Sequence, residues 1–371
     1  MSFSFGFSGE DIDTSLSPEV PAPAVPVAAA AAANSAFPVQ GKPQLPPTHH
    51  PLPSLLSQLP SKIAYSSLDV KIDGSPSPVR IPRRELWDVR VQLMAEAEGE
   101  GVEGLGEHDV KTGVYEGGFK SWESSVDLVK VLAAQDISST TSPMRVIENQ
   151  LGCGTALPSL AIFQWAISSR SPANSNPHPL SFVLADYNPS VLQLVTLPNL
   201  ILCWAVSCRS TTPALSVAFS DDGDDGKDGG ELDLDPPVVE AFQTFLAAAN
   251  IQLSFVSGSW SPEFVQIIYG DDTAGSSGSS GTSTLILGAE TIYSPFALRA
   301  FTDTVLDMLR RERTANAQAS ALVGAKRLYF GVGGSLDDFV AAAQEKGADV
   351  VQLSEEAEGV RRGVVRCSLP T

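Results

Sequence analysis

Between Met144 and Leu160 the chain reads MRVIENQLGCGTALPSL. An apolar, strand-like run reaches Ile147 and a short loop follows, Gly152-Cys153-Gly154-Thr155-Ala156. Pro158 then opens a helical run, where proline's missing N–H costs nothing. A glycine loop at the head of a helix brings backbone N–H groups up to a small ligand. Residue types narrow that ligand. A dinucleotide loop needs glycine where Leu157 stands, and a phosphate cradle needs a Gly-Lys-Ser/Thr ending that this loop lacks. What remains suits an adenosine-type cofactor with no phosphate to hold, S-adenosylmethionine being the common one. A turn that only joins strand to helix would read the same way.

A carboxylate stands in the matching place downstream. Ser181–Ala185 (SFVLA) has the composition of a buried parallel strand and runs into Asp186-Tyr187-Asn188-Pro189. An acid at the end of the second strand accepts hydrogen bonds from ribose hydroxyls. Asp186 follows the glycines by roughly 30 residues, about one βαβ unit. It could also cap the helix opened by Pro189, and one side chain can do both. Two later segments end strands in the same way. In Gly258-Ser259-Trp260 the indole either flanks an adenine ring or covers the core edge. In Gly288-Ala289-Glu290-Thr291-Ile292-Tyr293, Glu290 either meets a cation or imidazole N–H or begins the next helix.

The elements that must position these groups alternate. Strands are expected at Met144–Gln150, Ser181–Ala185, Leu253–Val256, Thr284–Leu287 and Lys326–Phe330, with Val350–Leu353 and Val364–Ser368 last. Helices are expected at Ser125–Ala134, Pro158–Ile167, Pro189–Val206 (interrupted at Pro198), Val238–Ala249, Pro295–Arg313 and Leu336–Glu345. This alternation predicts an α/β fold, a doubly wound and mostly parallel sheet covered on both faces. No helix separates the last two strands, so they can pair antiparallel.

The chain has 371 residues and a net charge of −19. Residues 1–60 are rich in Pro and Ala and read as a disordered tail, with Leu52–Leu59 as an apolar patch able to dock. Residues 65–371 read as one domain, carrying an acidic mobile loop at 220–236 and a Gly/Ser linker at 273–283. Residues 1–50 and 220–236 are expected to add little to the core. The acidic balance argues against direct nucleic-acid binding and for a basic partner. The four cysteines form no C-x-x-C pair and have no nearby histidine for a metal, which suggests a reduced intracellular setting. The start MSFSFGFSGEDID lacks the basic and apolar regions of a signal peptide. No uninterrupted apolar run reaches the ~18 residues that span a bilayer.

Together these segments resemble a family. MSFSFGF, GVYEGGFKSWESSVDLV (Gly113–Val129), LGCGTALPSL, ADYNPSVLQLVTLPN, SGSW, AETIYSP and YFGVGG occur in the order found in eukaryotic histidine protein methyltransferases. These belong to the S-adenosylmethionine-dependent methyltransferases with a Rossmann-like seven-stranded sheet and an antiparallel C-terminal strand. The resemblance implies methyl transfer to a histidine ring nitrogen, with a large-subunit ribosomal protein as the usual substrate. It assigns the cofactor to Trp122, Glu123 and Ser124, to Gly152, Cys153 and Gly154, to Asp186, Tyr187 and Asn188, and to Gly258, Ser259, Trp260 and Ala289. Glu290 and Tyr293 would face the acceptor as catalytic residues. It implies no metal, no membrane, a monomer, and a cytoplasmic and nuclear location.

Three positions depart from the family pattern. The acid expected two residues before Gly152 is Gln150, and Glu148 lies two residues earlier, as though Asn149-Gln150 were inserted. Ser259 stands where relatives often carry an acid. Gly288-Ala289 replaces a polar pair. A lysine methyltransferase of the same fold, or a binding protein whose cofactor loop the insertion has broken, are the alternatives.

Overall fold

The structure, a computed structural model, describes residues 44–97, 117–135, 137, 142–149, 152–170, 177–220, 229–270, 281–290, 292, 294–314, 317–328, 334–357 and 359–370. In chain order the strands are β1 (Thr48–His50), β2 (Lys62–Val70), β3 (Val79–Arg84), β4 (Met144–Asn149), β5 (Leu180–Asp186), β6 (Phe219–Ser220), β7 (Gly229–Asp233), β8 (Ile251–Ser257), β9 (Ser283–Ala289), β10 (Gln318–Lys326), β11 (Asp349–Glu356) and β12 (Arg362–Ser368). The helices are α1 (Leu52–Leu56), α2 (Leu86–Ala97), α3 (Glu123–Ala134), α4 (Leu157–Ser169), α5 (Pro189–Val191), α6 (Leu197–Cys208), α7 (Pro236–Ala248), α8 (Pro262–Tyr269), α9 (Pro295–Thr314) and α10 (Leu336–Glu345).

The main sheet runs β1-β8-β5-β4-β9-β10-β12-β11. From β8 to β10 every neighbour is parallel; β1, β12 and β11 join antiparallel. Successive residues of its strands face opposite ways, as a two-residue period requires. Val146, Phe182, Leu184, Leu285 and Leu322 enter one core with α3, α4, α6 and α7. Ile147, Val183, Ala185, Ile286 and Val323 enter a second with α8, α9 and α10. The apolar runs read in the sequence as buried strands are therefore covered on both faces. A second, antiparallel sheet, β3-β2-β7-β6, places Ile63, Ile81 and Leu232 in the first core.

Several expectations change. The tail expected over 1–60, and the small contribution expected of 1–50, do not hold from residue 44. Thr48–His50 forms the edge strand, and Leu55 and Leu56 are buried in the core, as the apolar patch at Leu52–Leu59 allowed. Three backbone pairings outweigh the low apolar content of this stretch. The stretch expected as an acidic loop contains a strand: Gly229–Asp233 pairs with β2, with Lys62 bridging Glu231 at 2.9 Å and Asp233 at 3.5 Å. Residues 221–228, and 273–280 of the Gly/Ser linker, lie outside the described residues. The strand expected at Lys326–Phe330 lies earlier, at Gln318–Lys326, where small residues let Gly324 pass Ser124.

The helix broken at Pro198 takes a particular form. Residues Leu192–Thr196 make a π turn between α5 and α6. Pro198 has no N–H for the Leu194 carbonyl four residues back. Arg84, buried and paired with Asp88 at 2.6 Å, donates to that carbonyl at 2.8 Å. By length and composition Pro189–Cys208 would cross a bilayer, but 78% of its apolar window is buried inside the fold.

Candidate functional site

Loops after β4, β5 and β8 meet at the C-terminal edge of the sheet. Asn149 pairs with Ala185, and Gly152 bridges Asp186. From the first pairing to the second, β4's chain advances from 149 to 152 while β5's advances from 185 to 186. The two pairings differ in sense, parallel at Ala185 and antiparallel at Asp186, and Gln150 and Leu151 between them lie outside the described residues. Glu148, just before it, is fully buried and accepts the Ser159 N–H at 3.0 Å in the first turn of α4. Burial raises its carboxyl pKa from 4.5 to about 7, against the pull of the Ser159 bond.

The glycine loop closes over Asp186. Cys153 N–H donates to the Ala185 carbonyl at 2.8 Å. The two Asp186 oxygens accept Gly154 N–H (3.1 Å) and Asn188 N–H (2.9 Å), and the side chain is only 2% exposed. A Cβ on Gly152 would stand 2.5 Å from Asp186 Oδ2, and one on Gly118 3.2 Å away. Gly154, at φ +52°, passes so near Gly118 that its Cβ would meet the Gly118 carbonyl at 2.8 Å. Thr196, in the π turn, donates to the Gly154 carbonyl at 2.7 Å, and Asn199 holds the Thr155 carbonyl at 3.1 Å. Burial, with Asp186 and Glu148 nearby, pushes the Cys153 thiol well up, so it stays unionised.

The β8 side is tied to β5 by Gly258 N–H, shared between the carbonyls of Asp186 (3.1 Å) and Tyr187 (3.2 Å). Ser259 spends both its N–H and its Oγ on the Leu45 carbonyl, each at 2.9 Å. Trp260 packs on Phe301 at 5.3 Å between centroids, the core-edge alternative. The Phe301 ring also explains Gly288, whose Cβ would fall 2.6 Å from it.

A second group forms where α3 begins. Ser124, buried in the first turn, donates to Glu290 Oε1 at 2.6 Å. Glu290 N–H donates to the Gly324 carbonyl at 3.0 Å, holding the residue at φ +55°, a left-handed conformation costing ~1–3 kcal/mol. Lys326 Nζ stands 3.9 Å from Oε2 and 5.5 Å from the Trp122 ring centre, with Lys120 Nζ 5.3 Å from that ring. The positive end of α3 favours a carboxylate here. Glu290 is not a first-turn residue, since α9 begins at Pro295. Ala289 is buried beside it, and Glu123 is exposed. Tyr293 lies outside the described residues.

Three participants escaped the sequence reading. Gly118 is inside a quoted motif but its place against Asp186 is tertiary. Lys326 is, in the sequence, only the first residue of the strand expected at Lys326–Phe330. Leu45 gave no signal.

An acid at the centre of a glycine cradle repels phosphate and accepts hydroxyls, which suits the ribose of a phosphate-free nucleoside. The strand order above sets this cradle at the edge of a Rossmann-like sheet, the place where such folds hold a nucleoside. The chain belongs to the histidine protein methyltransferase family. It is 32% identical to histidine protein methyltransferase 1 of Saccharomyces cerevisiae over 385 residues, 99% of this chain and 97% of that one. The Schizosaccharomyces pombe protein of that name is 34% identical over 78% of this chain and 75% of its own. The Bos taurus homolog is 28% identical over 70% and 56%. No family model matches the chain. Among solved structures, human methyltransferase 10 domain containing protein aligns at a TM-score of 0.33 and 8% identity, over 76% of this chain and 96% of that one.

Proposed function

We propose that this protein methylates a ring nitrogen of a histidine in a basic protein, a large-subunit ribosomal protein being the substrate class. The observation that carries this reading is the end-to-end similarity to the Saccharomyces cerevisiae enzyme. S-adenosylmethionine, when bound, supplies a methyl group on a sulfonium, an electrophile that requires no metal. Asp186 and the glycine loop would hold its nucleoside, and Trp122, Ser124 and Ala289 would line the transfer side.

A neutral imidazole is already nucleophilic near pH 7, so the chain's task is placement. Glu290 receives the N–H of the ring nitrogen that does not react. Ser124 fixes one carboxylate oxygen and Lys326 lies beside the other, so the carboxylate cannot swing away. As the ring takes the methyl group it becomes a cation, and the Glu290 carboxylate lowers the energy of that charge. Lysine would first have to lose a proton, at a cost of several kcal/mol near pH 7. The test is transfer of a labelled methyl group to purified ribosomal proteins, with mass spectrometry of the labelled peptide. Label on histidine is expected. Label on lysine alone, or none despite bound cofactor, overturns the reading.

A further inference from the structure

Leu45 makes three hydrogen bonds, all to residues assigned above to the cofactor. Its N–H donates to Tyr187 Oη at 3.2 Å, and its carbonyl accepts from Ser259 N–H and Ser259 Oγ, both at 2.9 Å. The Pro46 carbonyl presses on Gly258 so closely that no Cβ fits between them, and Gly258 is held at φ +104°. Thr48–His50 then pair with Ser257–Phe255, and His50 Nε2 shares a 2.7 Å hydrogen bond with Ser257 Oγ. Pro46 and Pro47 each have φ fixed by their rings, so the segment is stiff. It spans from the β5 loop to the β8 loop across the cofactor side of the sheet edge.

We infer that Leu45–His50 is a wall of the cofactor site, a positioning strap that holds Tyr187 and Gly258-Ser259 in the arrangement the nucleoside requires. This rests on the cofactor placement proposed above. Without the strap, Ser259 and Tyr187 lose their partners, and Gly258 regains a freedom that only glycine has. The cofactor would then have to order the loop as it binds, and its affinity would fall by the fraction of time the loop is misplaced. Coupling of this kind is reciprocal: a cofactor that binds better to the strapped form tightens the strap by the same factor.

Hydrogen exchange on the full chain tests this, with and without S-adenosylmethionine. Exchange at Leu45 and at Thr48–His50 should slow several-fold when the cofactor binds, while β11 and β12 at the far edge stay unchanged. Replacing both prolines by glycine (Pro46→Gly with Pro47→Gly) keeps the backbone atoms that meet Gly258 and adds flexibility. That variant should exchange faster at the strap and bind cofactor roughly tenfold more weakly by calorimetry. Cofactor binding with no change at Leu45–His50 overturns the inference. So does a loosened strap with unaltered affinity. A full chain that binds no cofactor removes the placement itself, and the inference with it.

Discussion

Asp186 holds the glycine loop, and the proposed function also sets it against the cofactor ribose. Both its oxygens accept backbone N–H groups. Asp186→Ala therefore leaves two buried donors unmet, at ~1–3 kcal/mol each, and should lower the unfolding temperature as well as cofactor affinity. Thermal unfolding and calorimetry on the same sample separate the two effects; unchanged values in both would remove Asp186 from the site. Glu290→Gln keeps shape and loses charge. Turnover should fall by roughly 10²–10³-fold with little change in cofactor affinity, measured by single-turnover labelling. Glu148 carries a pH dependence. Its pKa is higher in the folded chain, about 7, than the usual 4.5. The folded state thus holds a proton that the unfolded state releases between those values. Stability is full below 4.5, declines as pH rises to about 7, and then levels, an integrated loss of about 3 kcal/mol. Glu148→Gln should flatten that slope in denaturant unfolding measured from pH 4.5 to 8. Asp186 and Glu290 were legible in the sequence because each ends a buried run. Lys326 and Leu45 were not, because their partners lie far away in the chain.

At the scale of elements, the surplus after β4 is the feature most open to change. Deleting Asn149 and Gln150 brings Glu148 next to Leu151 and so two residues before Gly152, the acid-to-glycine spacing of the family pattern. Cofactor binding should then be equal or tighter by calorimetry. Loss of binding in the deletion would mean the loop depends on the extra length. The parallel strands and their helices were readable from periodicity and proline position. The small sheet was not. β2 carries Lys62 and Asp69, β3 carries three arginines and Pro82, and pairing with β7 and packing on α6 commits them to strand. Pro198 signalled an interruption, but the sequence gives no hint that Arg84 replaces the missing N–H.

Across the whole molecule, the charge of −19 favours encounter with a basic substrate. Salt screens such attraction beyond ~10 Å at 0.1 M. The methylation rate at low substrate should therefore fall as salt rises, through slower association, while cofactor affinity changes little. A salt-independent rate would mean the acids serve solubility alone.

The four cysteines, Cys153, Cys203, Cys208 and Cys367, are all buried as free thiols. They lie in the glycine loop after β4, along and at the end of α6, and in β12. An alkylating reagent can reach each one only when its own part of the protein opens. Reaction rates, read residue by residue, therefore turn the native chain into its own map of local opening. Cys153 should be the thiol that a bound nucleoside shields most.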